Sequence, residues 1–266
     1  MSLTSSPRDQ LLATVVFHQG DHRAITKDLR DKISRGDETV RELLSQIKSK
    51  VVTILDPEYP DYLRQTCVEP PYALFYYGDL SLIQDPYQVV TIVGSRDPSP
   101  YARACCKKLA EELARKGKIV ASGLARGIDT AAAEGSVEVP GASVAFLGNG
   151  IDWYYPLENK PLQKRIAQNG LLVSEYPGLT PPSPKNFPAR NRLLACVSQA
   201  VIVGEAKPHS GTLITAAFAL LYNRDVGALP FQAGTLACNN ELIKQGAALV
   251  ETAEDVELML YRPCPT

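Results

Sequence analysis

Short apolar runs alternate with longer amphipathic segments over most of this chain. The runs are rich in β-branched residues and have the length of strands that are buried on both faces. They predict strands at 50–55, 73–77, 89–93, 119–121, 143–147, 170–175, 200–203, 226–229 and 248–250. Apolar residues between them recur at helical spacing, for example Cys106, Leu109 and Leu113. This alternation predicts an α/β fold, an extended Rossmann-like, doubly wound and mostly parallel sheet.

The first 49 residues have a different pattern from the rest. Apolar residues fall at helical spacing in three short groups, which begin near Leu11, Ile25 and Val40 and are separated by polar stretches. We therefore predict two domains: a small N-terminal helical accessory domain over 1–49 and a Rossmann-like domain over 50–266. No residue pattern in the helical part indicates chemistry.

Two strands in succession end in loops of similar composition. Gly94-Ser95-Arg96 follows the first strand, and Ser122-Gly123 with Arg126 follows the second. Such turns direct backbone N–H groups and helix N-termini towards one crevice, which suits a phosphate, although either glycine could serve only a tight turn. The spacing is not the dinucleotide fingerprint, so NAD is not expected, and no cofactor is predicted.

The run from Pro184 to Arg192 combines cations with an aromatic residue. No Asp or Glu occurs from Tyr176 to Gly204, so the segment is locally positive. Cations for phosphates and a ring for base stacking are the two ingredients of single-strand binding. The alternative is that the ring anchors the loop and that the arginines cap helices or pair with Glu175 and Glu205. The candidate residues are Lys185, Phe187, Arg190, Asn191 and Arg192.

A third candidate phosphate site is Ser210-Gly211-Thr212, which opens a helix after a strand. His209 precedes it, but a histidine on a loop is more often a surface residue than a general base. No Ser–His–Asp arrangement, paired carboxylates or convincing nucleophile is present, so no catalytic residue is predicted.

Composition limits the remaining possibilities. The 266 residues have a net charge of −1, so any polyanion must bind a local patch rather than the whole surface. The chain has no apolar run of membrane-spanning length and no signal-peptide pattern, so a cytoplasmic protein that does not bind membranes is expected. With three histidines and no C-x-x-C pair, no metal site is expected.

Several segments, in order from about residue 50 to 260, resemble the DNA-processing protein A family (DprA, also called Smf). They are Val93–Arg96, Ser122–Ala132, Tyr155-Pro156 with Asn159, Ser174–Tyr176, Phe187–Arg192, Ser210–Ala216 and Leu242–Ala247. The resemblance implies an extended Rossmann fold that binds single-stranded DNA. It also implies homodimerisation and the loading of RecA onto incoming DNA during natural transformation.

In that family the glycine-serine-arginine loop and the lysine–phenylalanine loop contact the strand. Carried over, these contacts are Gly94, Ser95, Arg96, Lys185, Phe187, Arg190 and Ser210-Gly211. The sequence departs from the family at Ala133, where His is usual, and at Phe231, where Gly is usual. The family's lysine usually lies one residue before the position of Lys185, so the sequence departs from the family there as well.

Two other functions remain open at this point. One is a nucleoside-monophosphate phosphoribohydrolase of the lysine decarboxylase-like group, whose P-G-G-x-G-T-x-x-E motif would fall on 208–215. The catalytic glutamate would then be Thr215, which cannot act as a carboxylate acid or base. The other is a regulatory nucleotide-binding protein.

Overall fold

In the computed structural model, residues 5–261 are described, and they contain one nine-stranded sheet. Each predicted strand is present, with shifts of one or two residues at its ends. The strands are β1 (Lys50–Thr53), β2 (Ala73–Gly78), β3 (Val89–Val93), β4 (Ile119–Ser122), β5 (Ser143–Leu147), β6 (Leu171–Ser174), β7 (Ala200–Val203), β8 (Asp225–Ala228) and β9 (Ala248–Leu249).

The sheet is parallel except at one edge. The strand order is β1-β2-β6-β5-β4-β3-β7-β8-β9, and only β1 with β2 and β2 with β6 pair antiparallel. The central strand β3 lies between β4 and β7, and all three run in the same direction. The loops that follow them therefore meet at one edge of the sheet, where ligand sites of doubly wound folds occur.

Helices cover both faces of this sheet. They are α1 (Pro7–Phe17), α2 (His22–Arg30), α3 (Asp37–Ser45), α4 (Asp61–Thr66), α5 (Pro100–Arg115), α6 (Ile128–Ser136), α7 (Lys160–Asn169), α8 (Asn186–Cys196), α9 (Gly211–Leu221), α10 (Asn239–Lys244) and α11 (Ala253–Leu260). Three short 3₁₀ turns lie at Leu80–Ile83, Pro86–Gln88 and Leu157–Asn159.

Alternate residues of β3 belong to different hydrophobic clusters, as expected for a strand buried on both faces. Val89 and Val93 pack in the cluster that contains α8, whereas Val90 and Ile92 pack in the cluster that contains α5 and α11. The predicted apolar face of α5 is buried at Cys106, Leu109 and Leu113. The α/β, doubly wound fold is thus confirmed.

The three N-terminal helices form a layer against the antiparallel side of the sheet. Leu12, Val15 and Ile25 belong to one buried cluster with Phe75 of β2 and Leu172 of β6. A guanidinium–carboxylate pair, Arg8 Nε to Asp56 Oδ1 at 2.7 Å, adds a polar link. The helices predicted for 1–49 are present, and β1 begins at the predicted boundary, but that they form a separable domain stays a prediction.

One predicted boundary is wrong. The sequence pattern predicts a proline-rich loop through Pro188 and a helix from Arg190, whereas α8 already begins at Asn186. Pro188 is compatible with this position because the first turn of a helix leaves its backbone N–H groups without intrahelical acceptors. Phe187 therefore lies on the first turn of a helix rather than on a loop.

Over residues 5–261, no helix is long and apolar enough to span a membrane. Over the same range, no group of three or more His, Cys, Asp or Glu side chains is arranged to hold a metal ion.

Candidate nucleic-acid interface

A crevice of about 800 Å³ lies at the carboxyl ends of β3 and β7, against the first turn of α8. It unites loops that are far apart in the sequence, as the parallel strands require. Nine of the predicted site residues line it: Gly94, Ser95, Arg96, Phe187, Arg190, Asn191, Ser210, Gly211 and Thr212.

Phe187 is half-buried and forms one wall of the crevice. The guanidinium Cζ of Arg96 lies 5.1 Å from the centroid of its ring, and the ring of Tyr155 lies 5.6 Å away, tilted by 37°. The ring packs so closely on Gly148 that a Cβ at that glycine would lie 2.7 Å from Phe187 Cδ1. Phe187 is thus fixed at the crevice with a cation and a second ring beside it.

Exposed cations surround this ring. Arg96 is exposed, and Lys207 Nζ lies 3.7 Å from Asp97, a carboxylate that is itself almost fully exposed. Arg126 lines a smaller depression of about 250 Å³, which shares Phe187 and Arg96 with the crevice. Arg126 also forms an exposed ion pair with Glu158, and exposed pairs of this kind are weak.

Asp129 lies just beneath the crevice and is 5% exposed. Its carboxylate accepts hydrogen bonds from the backbone N–H groups of Gly94, Gly123 and Ala125, with Gly123 N at 3.1 Å. Burial raises the pKa of this carboxyl to about 6, although the charge of Arg190 opposes the shift. An internal carboxylate thus already accepts from the N–H groups of Gly94 and Gly123, and a phosphate contact by these glycines stays a prediction.

Arg190 lines the crevice, but its side chain is almost completely buried. It is 3% exposed, and its Nη1 donates to the carbonyl oxygen of Gly123 at 2.7 Å and to that of Phe146. A Cβ at Gly123 would overlap the guanidinium, which explains glycine there. Burial lowers the pKa of Arg190, and Asp129 counteracts this. The expectation of a solvent-facing phosphate ligand is not met, since these bonds hold the side chain in the interior.

Arg192 and Lys185 face a different depression, of about 530 Å³, between α8 and the N-terminal helices, which we call the cleft. Arg192 donates from Nη1 and Nη2 to both carboxylate oxygens of Glu175, at 2.6 and 2.5 Å. Burial opposes its charge, but Glu175 outweighs burial and raises the pKa of Arg192. Lys185 Nζ is 2.7 Å from Asp21 Oδ2, whose pKa this hydrogen bond lowers. Neither cation lines the crevice.

The remaining predicted residues have mixed positions. Ser122 is buried at the end of β4, and Ser95 Oγ donates to the carbonyl oxygen of Asp97. Asn191 Nδ2 donates to the carbonyl oxygen of Gly211 and so ties α8 to the start of α9. Among residues 5–261, the hydroxyl of Ser210 is one of a few buried polar side-chain groups that have no hydrogen-bond partner.

The residue pattern did not identify three groups of this interface. Lys207 lies in the loop after β7, two residues beyond Glu205. The acid so close in sequence hid the fact that the lysine faces the crevice. Tyr155 ends the aromatic run Trp153-Tyr154-Tyr155, and from sequence alone such a run is equally compatible with side chains that only pack. Asp129 could have been found from its position, because an acidic residue at the start of a helix attracts the N–H groups of the preceding loop.

Comparison with known proteins relates this chain to a family. Protein Smf of Synechocystis sp. is 42% identical over 193 residues, which are 71% of this chain and 48% of that protein. The DNA processing protein DprA of Streptococcus pneumoniae is 40% identical over 206 residues, 77% of this chain and 72% of that one. The chain thus spans about half the length of the Synechocystis relative.

Solved structures agree with the sequence matches. The crystal structure of DNA processing protein A from S. pneumoniae has a TM-score of 0.74 and 33% identity, and the match covers 94% of this chain and 92% of that chain. The corresponding protein of Helicobacter pylori gives 0.70 and 31%, with 81% and 97% covered. Residues 50–260 match the DNA recombination-mediator protein A family as a whole, and the chain belongs to that family.

Proposed function

We propose that this chain binds single-stranded DNA in the crevice and acts as a recombination mediator. The observation that carries the proposal is the half-buried ring of Phe187 with the Arg96 guanidinium and the Tyr155 ring beside it. A nucleobase needs a π-face, and the adjacent phosphates need cations. The H. pylori relative has been described for its single-stranded DNA binding, which supports the same reading here.

The proposed interface is smaller than the set expected from the sequence. Arg96, Lys207 and Arg126 supply charge, Phe187 supplies the stacking face, and Ser210 with Gly211 supplies polar groups at the start of α9. Arg190 and Asp129 support the interface from beneath and do not touch the strand. Duplex DNA should bind far more weakly, because its bases are already stacked and cannot meet Phe187.

We further propose that the chain forms a homodimer and loads RecA onto incoming DNA in the cytoplasm during natural transformation. These roles rest on family membership. The homodimer has one additional supporting observation. Helix α9 exposes Ile214, Ala217 and Leu221 on one face at i, i+3 and i+7 spacing, and Leu220 is 70% exposed. A second copy of the chain would cover this face.

We also propose that the protein is not an enzyme. A phosphoribohydrolase would need a carboxylate at Thr215, but this residue is buried and its hydroxyl donates to the carbonyl oxygen of Gly211. Asp129 is a carboxyl near the crevice with a raised pKa, a property common among catalytic acids. Its oxygens accept from backbone N–H groups, which explains its position structurally without a reaction.

The test is an equilibrium titration that compares a fluorescent single-stranded oligonucleotide, the same sequence as duplex, and AMP. We expect tight binding of the single strand, weak binding of the duplex and no release of adenine from AMP. Equal affinity for single strand and duplex would contradict a stacking site. Release of adenine that Ser210→Ala abolishes would support the hydrolase instead.

A further inference from the structure

We propose that the strand continues from the crevice onto a second nucleobase site formed by Tyr101 and Phe231. This inference rests on the proposed function and extends it along the sheet edge. The two rings lie 5.5 Å apart at an angle of 85°. They line a depression of about 490 Å³ together with Pro230 and Leu236, which we call the shelf.

The shelf adjoins the crevice. Lys207 lines both depressions. The crevice lies at the ends of β3 and β7, and the shelf adjoins the loop that follows β8, the next strand of the sheet. The distance along the sheet edge from β3 to β8 is two strand spacings, about 10 Å. A strand of a few nucleotides that leaves Phe187 would cross Lys207 and reach the shelf.

The chemistry of the shelf fits a base rather than a charged group. Tyr101 is 47% exposed and Leu236 is 89% exposed, so an aromatic face and an aliphatic side chain are open to solvent. The hydroxyl of Tyr101 donates to the carbonyl oxygen of Pro230 at 3.1 Å, which fixes the ring. Phe231 packs on the cluster beneath α5 and supports that ring from below.

The acidic residue at the shelf does not oppose the phosphate backbone strongly. Glu205 is buried, and its Oε2 accepts from Ser99 N at 2.8 Å and from Ser99 Oγ at 2.7 Å, at the N-terminus of α5. Lys207, with a side chain 52% exposed, is the cation between the two depressions. A phosphate between two stacked bases would therefore lie near a positive charge, as in other single-strand sites.

The test varies the length of the oligonucleotide in the full chain. The thymidine dinucleotide TpT, which is too short to span from Phe187 to the shelf, and an oligothymidylate of about 16 nucleotides are titrated against the wild type, Tyr101→Ala and Phe187→Ala. We expect Tyr101→Ala to lower the affinity for the longer strand about 5- to 150-fold and to leave the shorter strand unaffected, because a short strand fills only the crevice. Phe187→Ala should weaken both.

Controls separate the shelf from other causes. Tyr101→Phe keeps the ring and should retain affinity for both lengths. Tyr101→Leu keeps apolar bulk, and it replaces Tyr101→Ala if circular dichroism finds that variant unfolded. Equal affinity of wild type and Tyr101→Ala for the longer strand, or an equal loss at both lengths, would overturn the shelf. Wild-type affinity of a folded Phe187→Ala variant for both strand lengths would instead overturn the proposed function.

Discussion

The crevice and the cleft lie on opposite sides of the first turn of α8 and differ in how their cations are used. In the cleft, Arg192 donates twice to Glu175 and Lys185 is paired with Asp21. In the crevice, Arg96 lies over an aromatic ring, and Lys207 is 3.7 Å from an exposed carboxylate. Both depressions adjoin the same basic segment, but in the crevice the exposed cations lie beside the half-buried ring of Phe187, whereas the tyrosine that lines the cleft, Tyr176, is buried.

This difference shows what a count of charges omits. The segment 176–204 contains no acid, yet its arginines find carboxylates or carbonyl groups elsewhere in the fold. A buried arginine must be paired or hydrogen-bonded, so its charge is not available to a ligand. The exposed cations of the crevice and of the smaller depression beside it come instead from the loops after β3, β4 and β7.

The largest effect on the free energy of unfolding is expected from removing the N-terminal helices, which form one wall of the cleft. A shortened chain that begins at Lys50 uncovers Phe75, Leu147 and Leu172, which pack against the N-terminal helices. At about 1.5–3 kcal/mol for each of the three side chains, the free energy of unfolding should fall by about 5–9 kcal/mol. The crevice lies outside that contact, so single-strand affinity should persist. Failure to fold, seen by circular dichroism, or complete loss of affinity would contradict a domain boundary near Lys50.

Breaking the buried ion pair of the cleft should come next. Glu175→Gln leaves Arg192 buried beside a neutral partner, which should lower the free energy of unfolding by about 3–5 kcal/mol. The matched change in the crevice, Arg96→Gln, alters an exposed side chain and should stay within about 0.5 kcal/mol. Urea unfolding of both variants measures the contrast. Similar values for the two would mean that the cleft and crevice arginines do not differ in role.

Phe187→Ala tests the ring of the crevice. Loss of one stacking face costs about 1–3 kcal/mol, so affinity for single-stranded DNA should fall about 5- to 150-fold. The salt dependence should hardly change, because no phosphate contact is lost. Phe187→Leu, which keeps the packing on Gly148, is the control for wall structure. Affinity is measured by fluorescence anisotropy titration. If a folded Phe187→Ala variant binds single-stranded DNA as tightly as the wild type, the ring is only a structural anchor.

Asp129 should make the protein more stable in mild acid. Its pKa of about 6 in the folded state exceeds the ordinary value of 3.8, so the folded state binds protons more readily than the unfolded state. This stabilising contribution is fully present below about pH 3.8 and is lost as pH rises through about 6. From about pH 7 to about pH 5, the free energy of unfolding should rise by about 1.4 kcal/mol relative to Asp129→Asn. Parallel pH profiles for the two proteins would refute this assignment.

The smallest effects distinguish the cations by their salt dependence. Arg96→Gln would remove the proposed phosphate contact, so the slope of log affinity against log salt should flatten by about 0.7. Lys185→Gln should change the slope less, because Lys185 faces the cleft and is paired with Asp21. Asp21→Asn releases Lys185 and serves as the matched control. A larger slope change for Lys185 than for Arg96 would place the strand in the cleft.

The sequence pattern was sufficient for the sheet but not for the surface. Apolar runs predict each strand, because strands buried on both faces need continuous hydrophobic residues. They do not predict that β6 pairs with β2, since register between distant segments leaves no local signal. Glycine turns correctly indicated the edge where the crevice lies.

The chemistry of individual residues was less predictable. Burial of Arg190 and Arg192 depends on carbonyl and carboxylate groups that are distant in the chain. Asp129 accepts hydrogen bonds from the backbone N–H groups that were expected to bind a phosphate. These bonds depend on the close approach of two loops, which the local sequence does not indicate. Phe187 lies in the first turn of a helix. The sequence pattern missed this because Pro188 was taken as part of the proline-rich loop, although a proline is also compatible with a first turn.

The most direct test of the account is to locate a bound base. A single-stranded oligonucleotide that carries 5-iodouracil is bound to the full chain, cross-linked by light and mapped by mass spectrometry. We predict cross-links at Phe187 and Tyr155, the rings of the crevice. Cross-links confined to the cleft, at Tyr176 or His22, would contradict the assignment of the crevice as the strand-binding site.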